Sequence, residues 1–420
     1  MWWLAAIGLG VLAYCLISGR LHNTMITPPM VFALFGLAIG TVGLDLLDMK
    51  VSHDLIHTLA EITLALVLFS DAARIDVRLL ARDHDLPMRM LAIGMPLTIL
   101  FGTLAALALP LGLGIFEAAL LAAILAPTDA ALGQAVVSSR LVPVRIRQAL
   151  NVESGLNDGI ALPFVYLFAA LMTMNAAAGD TASLALFTLK QLTLGPLVGV
   201  GVGIIIGYLA VRANRSGWMD LVFEGPMVLA TVALAFAGAD AVGGNSFIAV
   251  FVAGLTFGRM LDGKCKFILE FAEAEGQMLI LIAFMLFGAV MLPELIGHVT
   301  WPMLAYAALS LTVIRMLPVA LSLLGTGVGL ASIGFLGWFG PRGLASILFG
   351  LLVLERFHSE TVSTILAIVT LTVLISVFAH GMTAVPFARW YGRMTAKQGL
   401  CPEKQDVSEI PLRTNNAIQS

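Results

Sequence analysis

Apolar blocks about twenty residues long follow one another through almost the whole chain, with barely a polar gap between them. That is the length at which an α-helix, rising about 1.5 Å per residue, crosses the roughly 30 Å hydrocarbon core of a bilayer. In lipid a backbone must satisfy its own N–H and C=O groups, so blocks of this kind fold as spanning helices. Of the 420 residues, 59% are hydrophobic and 12% charged, whereas a soluble domain carries about 25% charge. Thirteen spans are read, near 2–19, 28–47, 54–72, 88–112, 115–137, 150–174, 186–211, 223–242, 245–260, 268–292, 300–324, 330–354 and 361–386. The expected fold is an all-α polytopic membrane protein with about 13 transmembrane helices. A net charge of -3 offers nothing to nucleic acid.

Lysine and arginine test that count, because cytoplasmic loops of membrane proteins collect them. Eighteen of the 23 fall in alternate loops and the tail, from Arg20 through Arg74, Arg78, Arg82 and Arg89 to Lys404 and Arg413. Only Lys50 and Arg356 occupy the opposite loops. The split places the C-terminus in the cytoplasm and, with an odd number of spans, the N-terminus outside. The opening "MWWLAAIGLGVLAYCLISG" has no basic segment and no small-residue cleavage site, and reads as a retained first span. Residues 1–390 form the expected membrane domain, and the polar stretch 391–420 a disordered cytoplasmic tail. Cys15, Cys265 and Cys401 are scattered, so neither a disulfide framework nor a zinc site is supported. No cofactor is expected.

Two spans carry punctuation at mid-membrane. "LLAAILAPTDAALGQAV" sets Pro127 beside Thr128 and Asp129, and "FLGWFGPRGLASILFG" holds Gly340, Pro341, Arg342 and Gly343. A proline leaves the carbonyl four residues back without its donor, here Ala123 and Gly337. Freed backbone at that depth is tolerated only where protein or a wet cavity satisfies it. The breaks fall in the fifth and twelfth spans. Pairing each span with the one seven later sets about 1–174 against about 223–386, the pattern of an inverted repeat with a substrate site at two broken helices. In "GPLVGVGVGIIIG", Gly199, Gly203 and Gly207 lie four apart on one stripe, a close-packing face first and a dimer contact second.

Ionisable groups inside spans are expensive and usually functional. "NVESGLNDGIALPFV" concentrates four polar residues in one and a half turns. Ser154 and Asp158 share one helix face, while Glu153 and Asn157 share the next, about 100° round. Asp158 and Asp129, with the oxygen donors Thr128, Ser154 and Asn157 and freed carbonyls, form a ligand set for a hard cation. Desolvation also favours the protonated form of a buried carboxylate, so proton and cation can compete for one group. Glu153 instead suits Arg315, an arginine in mid-span that costs at least about 2.5–3.5 kcal/mol unpaired. For this pair a structural role is preferred to a transport role. Arg342 is expected to face helix C-terminal ends, or to snorkel from a shallower position, and Asp129 to balance N-terminal ends. Asp71 is open between lining an ion path and pairing with Arg74. Glu224, Asp240, Glu273 and Glu275 read as span-end residues, and His53, His57 and His84 have no ligand spacing.

"APTDAAL", "ESGLNDG", "IRMLPVAL", "GPRG" and "HGMTAVPFARWY", with "LFSDAARIDVRLL" and "GNSFIAVFVAGLTFG", together resemble the NhaP-type monovalent cation:proton antiporters, relatives of the sodium/hydrogen exchangers. The resemblance runs from about residue 61 to 391. It implies an inverted-repeat fold of the NhaA/NhaP kind with two crossed unwound helices, and a homodimer in the cell (inner) membrane. Asp158 resembles the central ion- and proton-binding aspartate, Asn157 the residue before it, Thr128 and Asp129 the pair in the first broken helix, and Ser154 an ion-ligating serine. Glu153 and Arg315 resemble the structural core pair, and Arg342 the arginine of the second unwound segment. Two departures stand out. Ala130 follows Asp129 where many relatives have proline, and Asp71 stands where they often have glutamate.

The resemblance implies exchange of Na⁺, or of Li⁺ or K⁺, for H⁺ by alternating access, in the service of pH homeostasis. The Asn157–Asp158 pair, in place of two adjacent aspartates, resembles the electroneutral branch. The alternative is a sodium-coupled symporter of organic anions on a similar scaffold. No GxGD, HExxH or Ser/His constellation occurs in the spans, so no enzyme is expected.

Overall fold

The computed structural model describes residues 2–21, 24–46, 53–75, 85–176, 181–261, 266–356, 360–397 and 403. Arg78, Arg82, Lys50, Lys264, Lys404, Arg413, His84, Cys265 and Cys401 lie outside the described residues, as do the side chains of His53, His57, Glu273, Glu275 and Arg356. The described residues are helical without strands. The helices are α1 (Trp2–Leu21), α2 (Pro28–Ile39), α3 (His53–Ala73), α4 (Asp85–Ala108), α5 (Ile115–Ile124), α6 (Ala130–Val137), α7 (Val144–Ala176) and α8 (Thr181–Arg215). They continue as α9 (Glu224–Ala241), α10 (Ser246–Leu261), α11 (Lys266–Leu286), α12 (Trp301–Leu311), α13 (Val313–Ser322), α14 (Leu330–Trp338), α15 (Leu344–Arg356) and α16 (Glu360–Ala396). By length and composition, six stretches of the described residues suffice to cross a membrane.

The chain divides into two compact units. One comprises Met1–Ala60, Asp85–Ser154 and Ile280–Ser420, and the other Glu61–His84 and Gly155–Leu279. In the second unit the Gly199–Gly203–Gly207 stripe of α8 lies directly on α10. A Cβ at these positions would meet the Ala249 and Ala253 carbonyls, Thr256 and Met260. The stripe is therefore spent on packing within the chain. Gly254 and Gly258 of α10 in turn accept the backbone of α3 at Phe69 and Ala73, and the Phe69 and Phe257 rings stand 5.4 Å apart.

In the first unit, two prolines produce the same local device. Met95, just before Pro96, donates its N–H to Met90 O, and Leu292, just before Pro293, donates to Phe287 O. Each bond skips one residue more than an α-helix allows, making a single π turn that absorbs the missing proline donor. The second of these turns is where α2 docks, with Gly36 against Met285 and Gly288 against Ala33. The span expected as one helix over 300–324 is in fact interrupted at Thr312 (φ -117°, ψ -96°), whose hydroxyl turns back onto Ala308 O at 2.6 Å. Elsewhere in this unit a packed apolar cluster joins Met90, Val136, Ile146, Leu150, Val319, Phe335 and Tyr391. It fixes α4, α6, α7, α13, α14 and α16 around the two expected breaks.

Candidate functional site

Both breaks form, and they hold each other. The first lies between α5 and α6, over residues 125–129, and the second between α14 and α15, over residues 339–343. α5 stops at Ile124, three residues before Pro127, so the carbonyls that need partners differ from the expected Ala123. Arg342, 0% exposed, sends Nη1 to Ala126 O at 2.9 Å and to Pro127 O at 3.1 Å. Ser346 of α15 donates to Ile124 O at 2.8 Å. A cation and a hydroxyl thus satisfy the C-terminal end of a half-helix, where the dipole favours positive charge.

Asp129 answers from the other side. Its Oδ2 accepts the Leu344 N–H at 2.9 Å, and its own N–H donates to Pro341 O at 2.8 Å. Leu344 opens α15, so the Asp129 carboxylate caps that half-helix from a different segment, in the manner of an N-cap residue. Gly343 is required by this approach, because a Cβ there would fall on the Asp129 side chain. In the second break the carbonyl held is Trp338 O rather than the expected Gly337, because α14 runs on to Trp338. Gly340 N–H donates to it at 2.8 Å.

Thr128 is buried beside Asp129, and its hydroxyl lies 3.0 Å from that of Ser154 on α7. One residue earlier on α7, Glu153 meets Arg315 of α13 in a bidentate pair: Nη1 to Oε1 at 2.6 Å and Nη2 to Oε2 at 2.7 Å. Each partner is 2% exposed. Gly340 lies flat under the Arg315 guanidinium, where a Cβ would collide with Nε, so the ion pair also shapes the second break. The first unit thus gathers Thr128, Asp129, Glu153, Ser154, Arg315 and Arg342. Asn157, buried, and Asp158, half-buried, follow on the same unbroken helix α7 within the second unit, and Asp71 is half-buried on α3.

Some participants were not singled out from the sequence. Ser376 accepts the Arg342 backbone N–H at 2.7 Å. With Thr372, His380 and Thr383 it lies on one polar stripe of α16, spaced about one turn apart. That period was the available signal. Glu403 is 4% exposed and accepts from Gly329 N–H and Ser332 Oγ, both at 2.8 Å, at the start of α14. Nothing in the polar tail singles that residue out.

Two half-helix pairs, each satisfying the other's orphan backbone, define a multi-pass membrane protein built around crossed interrupted helices, the architecture of secondary transporters. The family model for the sodium/hydrogen exchanger transmembrane domain matches residues 8–390, and the chain belongs to that family. It is 28% identical over 389 residues to the K(+)/H(+) antiporter NhaP of Alkalimonas amylolytica, covering 91% of this chain and 66% of that protein. It is 28% identical over 232 residues to K(+)/H(+) antiporter NhaP2 of Shewanella oneidensis, with coverages of 54% and 39%. The Na(+)/H(+) antiporter of Schizosaccharomyces pombe matches at 25% over 302 residues, 64% of each. The chain thus spans less than two thirds of the length of these curated relatives. The fold is that of the sodium proton antiporter MjNhaP1 of Methanocaldococcus jannaschii, solved at pH 8. The match has a TM-score of 0.74 at 21% identity and covers 94% of this chain and 99% of that one.

Proposed function

We propose that this protein exchanges a monovalent cation for a proton across the cell membrane by alternating access. The observation that carries the reading is the reciprocal hold of the two breaks, Arg342 on Ala126 and Pro127 and Asp129 on Leu344. It fixes Thr128 against Ser154. Asp158 follows Ser154 by one turn of the same helix, about 6 Å along its axis. Asp158 is the group for which cation and proton compete. Ser154, Thr128 and Asn157 supply neutral oxygens, and Asp129 adds negative charge while capping α15. Carboxylate and hydroxyl oxygens suit Na⁺, Li⁺ or K⁺. Asp71 lines the path to the site.

Na⁺ is the favoured cargo. The relatives named K(+)/H(+) antiporters support K⁺ as a second. Their antiporter names also support exchange over sodium-coupled uptake of an organic anion, and transport over enzyme catalysis. One positive charge for another makes the cycle electroneutral, a reading supported by the single titrating group of the Asn157–Asp158 pair. The distribution of Lys and Arg supports an N-terminus outside and a C-terminus in the cytoplasm. A homodimer is the expected assembly, on the family resemblance alone.

Proteoliposomes with a trapped pH indicator test the proposal, each chloride salt being added in turn. Na⁺ or K⁺ is expected to drive proton movement with no organic solute present. A proton flux that appears only with an organic anion sinks it.

A further inference from the structure

The second break is tied to α16 at both ends, and one imidazole connects the ties. On its C-terminal side, the Arg342 N–H donates to Ser376 Oγ at 2.7 Å. On its N-terminal side, Trp338 O, the last carbonyl of α14, lies 2.9 Å from His380 Nε2. Ser376 and His380 are one turn apart on α16, and Ser376 Oγ lies 3.1 Å from His380 Nδ1. The ring is 1% exposed. Trp338 is locked in turn, its ring 4.9 Å from the imidazole and its Nε1 donating to Thr383 Oγ1 at 3.0 Å.

Proton positions follow from the acceptors. Trp338 O can only accept, so Nε2 carries a proton. Ser376 Oγ already accepts from Arg342, and its own proton then points at a bare Nδ1. The neutral imidazole with its proton on Nε2 completes an unbroken chain, from the Arg342 N–H through Ser376 and His380 to Trp338 O. A second proton, on Nδ1, would turn the ring toward Ser376 O, 3.0 Å away, and cut that chain at the serine. The charged groups acting on the ring are Arg342 and Arg315, the latter paired with Glu153.

We propose that His380, with Ser376, is a positioning residue for cation exchange: a hydrogen-bonded staple across the second break that sets where Arg342 and Leu344 stand against the first. It touches no ion and carries no transported proton. The inference rests on the exchange reading for its kinetic consequence, but its geometry stands without it. Misplacing a crossing by about an ångström costs a hundredfold in favourable cases, so a kinetic loss of roughly ten- to a hundredfold is expected when the staple is cut.

The test uses His380→Ala, Ser376→Ala, the double variant and His380→Gln in the full chain, with turnover normalised to folded protein. Gln places an amide N–H near the position of Nε2. Either alanine variant is expected to lower maximal exchange with little change in cation KM. The double variant is expected to be no worse than His380→Ala, and His380→Gln to restore most of the rate on an unchanged pH profile. ¹⁵N-histidine spectra in nanodiscs, assigned by difference against His380→Gln, should show a neutral ring protonated on Nε2. Unimpaired turnover in His380→Ala, losses that multiply in the double variant, or a shifted pH profile in His380→Gln would each overturn the staple. So would a ring protonated on Nδ1. If the unaltered protein exchanges no cation, the functional reading falls, and the ring's protonation still decides the staple.

Discussion

Arg315 and Glu153 are buried to the same depth, so neither tolerates the loss of the other. Removing one partner strands a charge, at about 3–5 kcal/mol, whereas replacing both with apolar groups of similar volume is often neutral. Arg315→Ala and Glu153→Ala are therefore expected to lose most of the folded protein, and Arg315→Met with Glu153→Leu to recover much of it. Fluorescence-detected size exclusion in detergent reads the difference. Equal yields for single and double variants would mean that the pair carries no structural weight. Asp129 makes a lighter contribution. Asp129→Ala removes a cap from α15, worth about 0.5–2 kcal/mol, while Asp129→Asn keeps a carbonyl oxygen for the Leu344 N–H. Thermal unfolding should rank the alanine variant below the asparagine variant, and the reverse order would remove the capping role. The partners Glu153 and Arg315 are both legible in the sequence, because a mid-span arginine demands a carboxylate and only a few are near enough in depth. That Asp129 would bond Leu344 N–H is a matter of where two distant segments meet. One-dimensional spacing carries only the sign of that charge, not its partner.

Helices in this chain are legible wherever hydropathy alone decides them, and less so where a local backbone bond does. Pro127 and the Gly340–Gly343 run announce the breaks, because missing donors and missing side chains interrupt a helix directly. The interruption at Thr312 has no such signal, since a threonine is compatible with a continuous helix. The π turns before Pro96 and Pro293 show the converse: a proline in a span need not break it when one wider turn restores the bonds. The glycine stripe of α8 was open between two uses, and its contact with Ala249, Ala253 and Thr256 of α10 assigns it to packing inside the chain. Gly203→Val is accordingly expected to destabilise the protein by about 1–3 kcal/mol, as overpacking does. Gly201, on another face with nothing within 4 Å of its Cβ position, should accept the same change with little effect. Melting temperatures of the two variants check the pair, and equal melting would put the α8–α10 contact in doubt.

Across the whole molecule, the charge moved per cycle follows from how many groups in the site titrate. Asp129 spends one oxygen on the Leu344 N–H, so in the proposed cycle its carboxylate serves as the cap of α15 rather than as the exchanging group. Glu153 is neutralised by Arg315. Asn157 has no proton to give. In the proposed exchange Asp158 is the group for which the two ions compete, and one carboxylate can take up one proton or one monovalent cation. Sodium-driven proton flux in proteoliposomes should therefore proceed at the same rate under an imposed thiocyanate diffusion potential of either sign, set without K⁺, and should itself generate none. Asp158→Asn should insert and fold with a melting temperature close to that of the unaltered protein, yet lose exchange by at least about a hundredfold, because an amide cannot bind the proton. A flux that follows the imposed potential would require a second titrating group in the cycle, and Asp129, which can keep an oxygen on the Leu344 N–H in either protonation state, would be the first to test. Normal exchange in Asp158→Asn would remove Asp158 as the exchanging group.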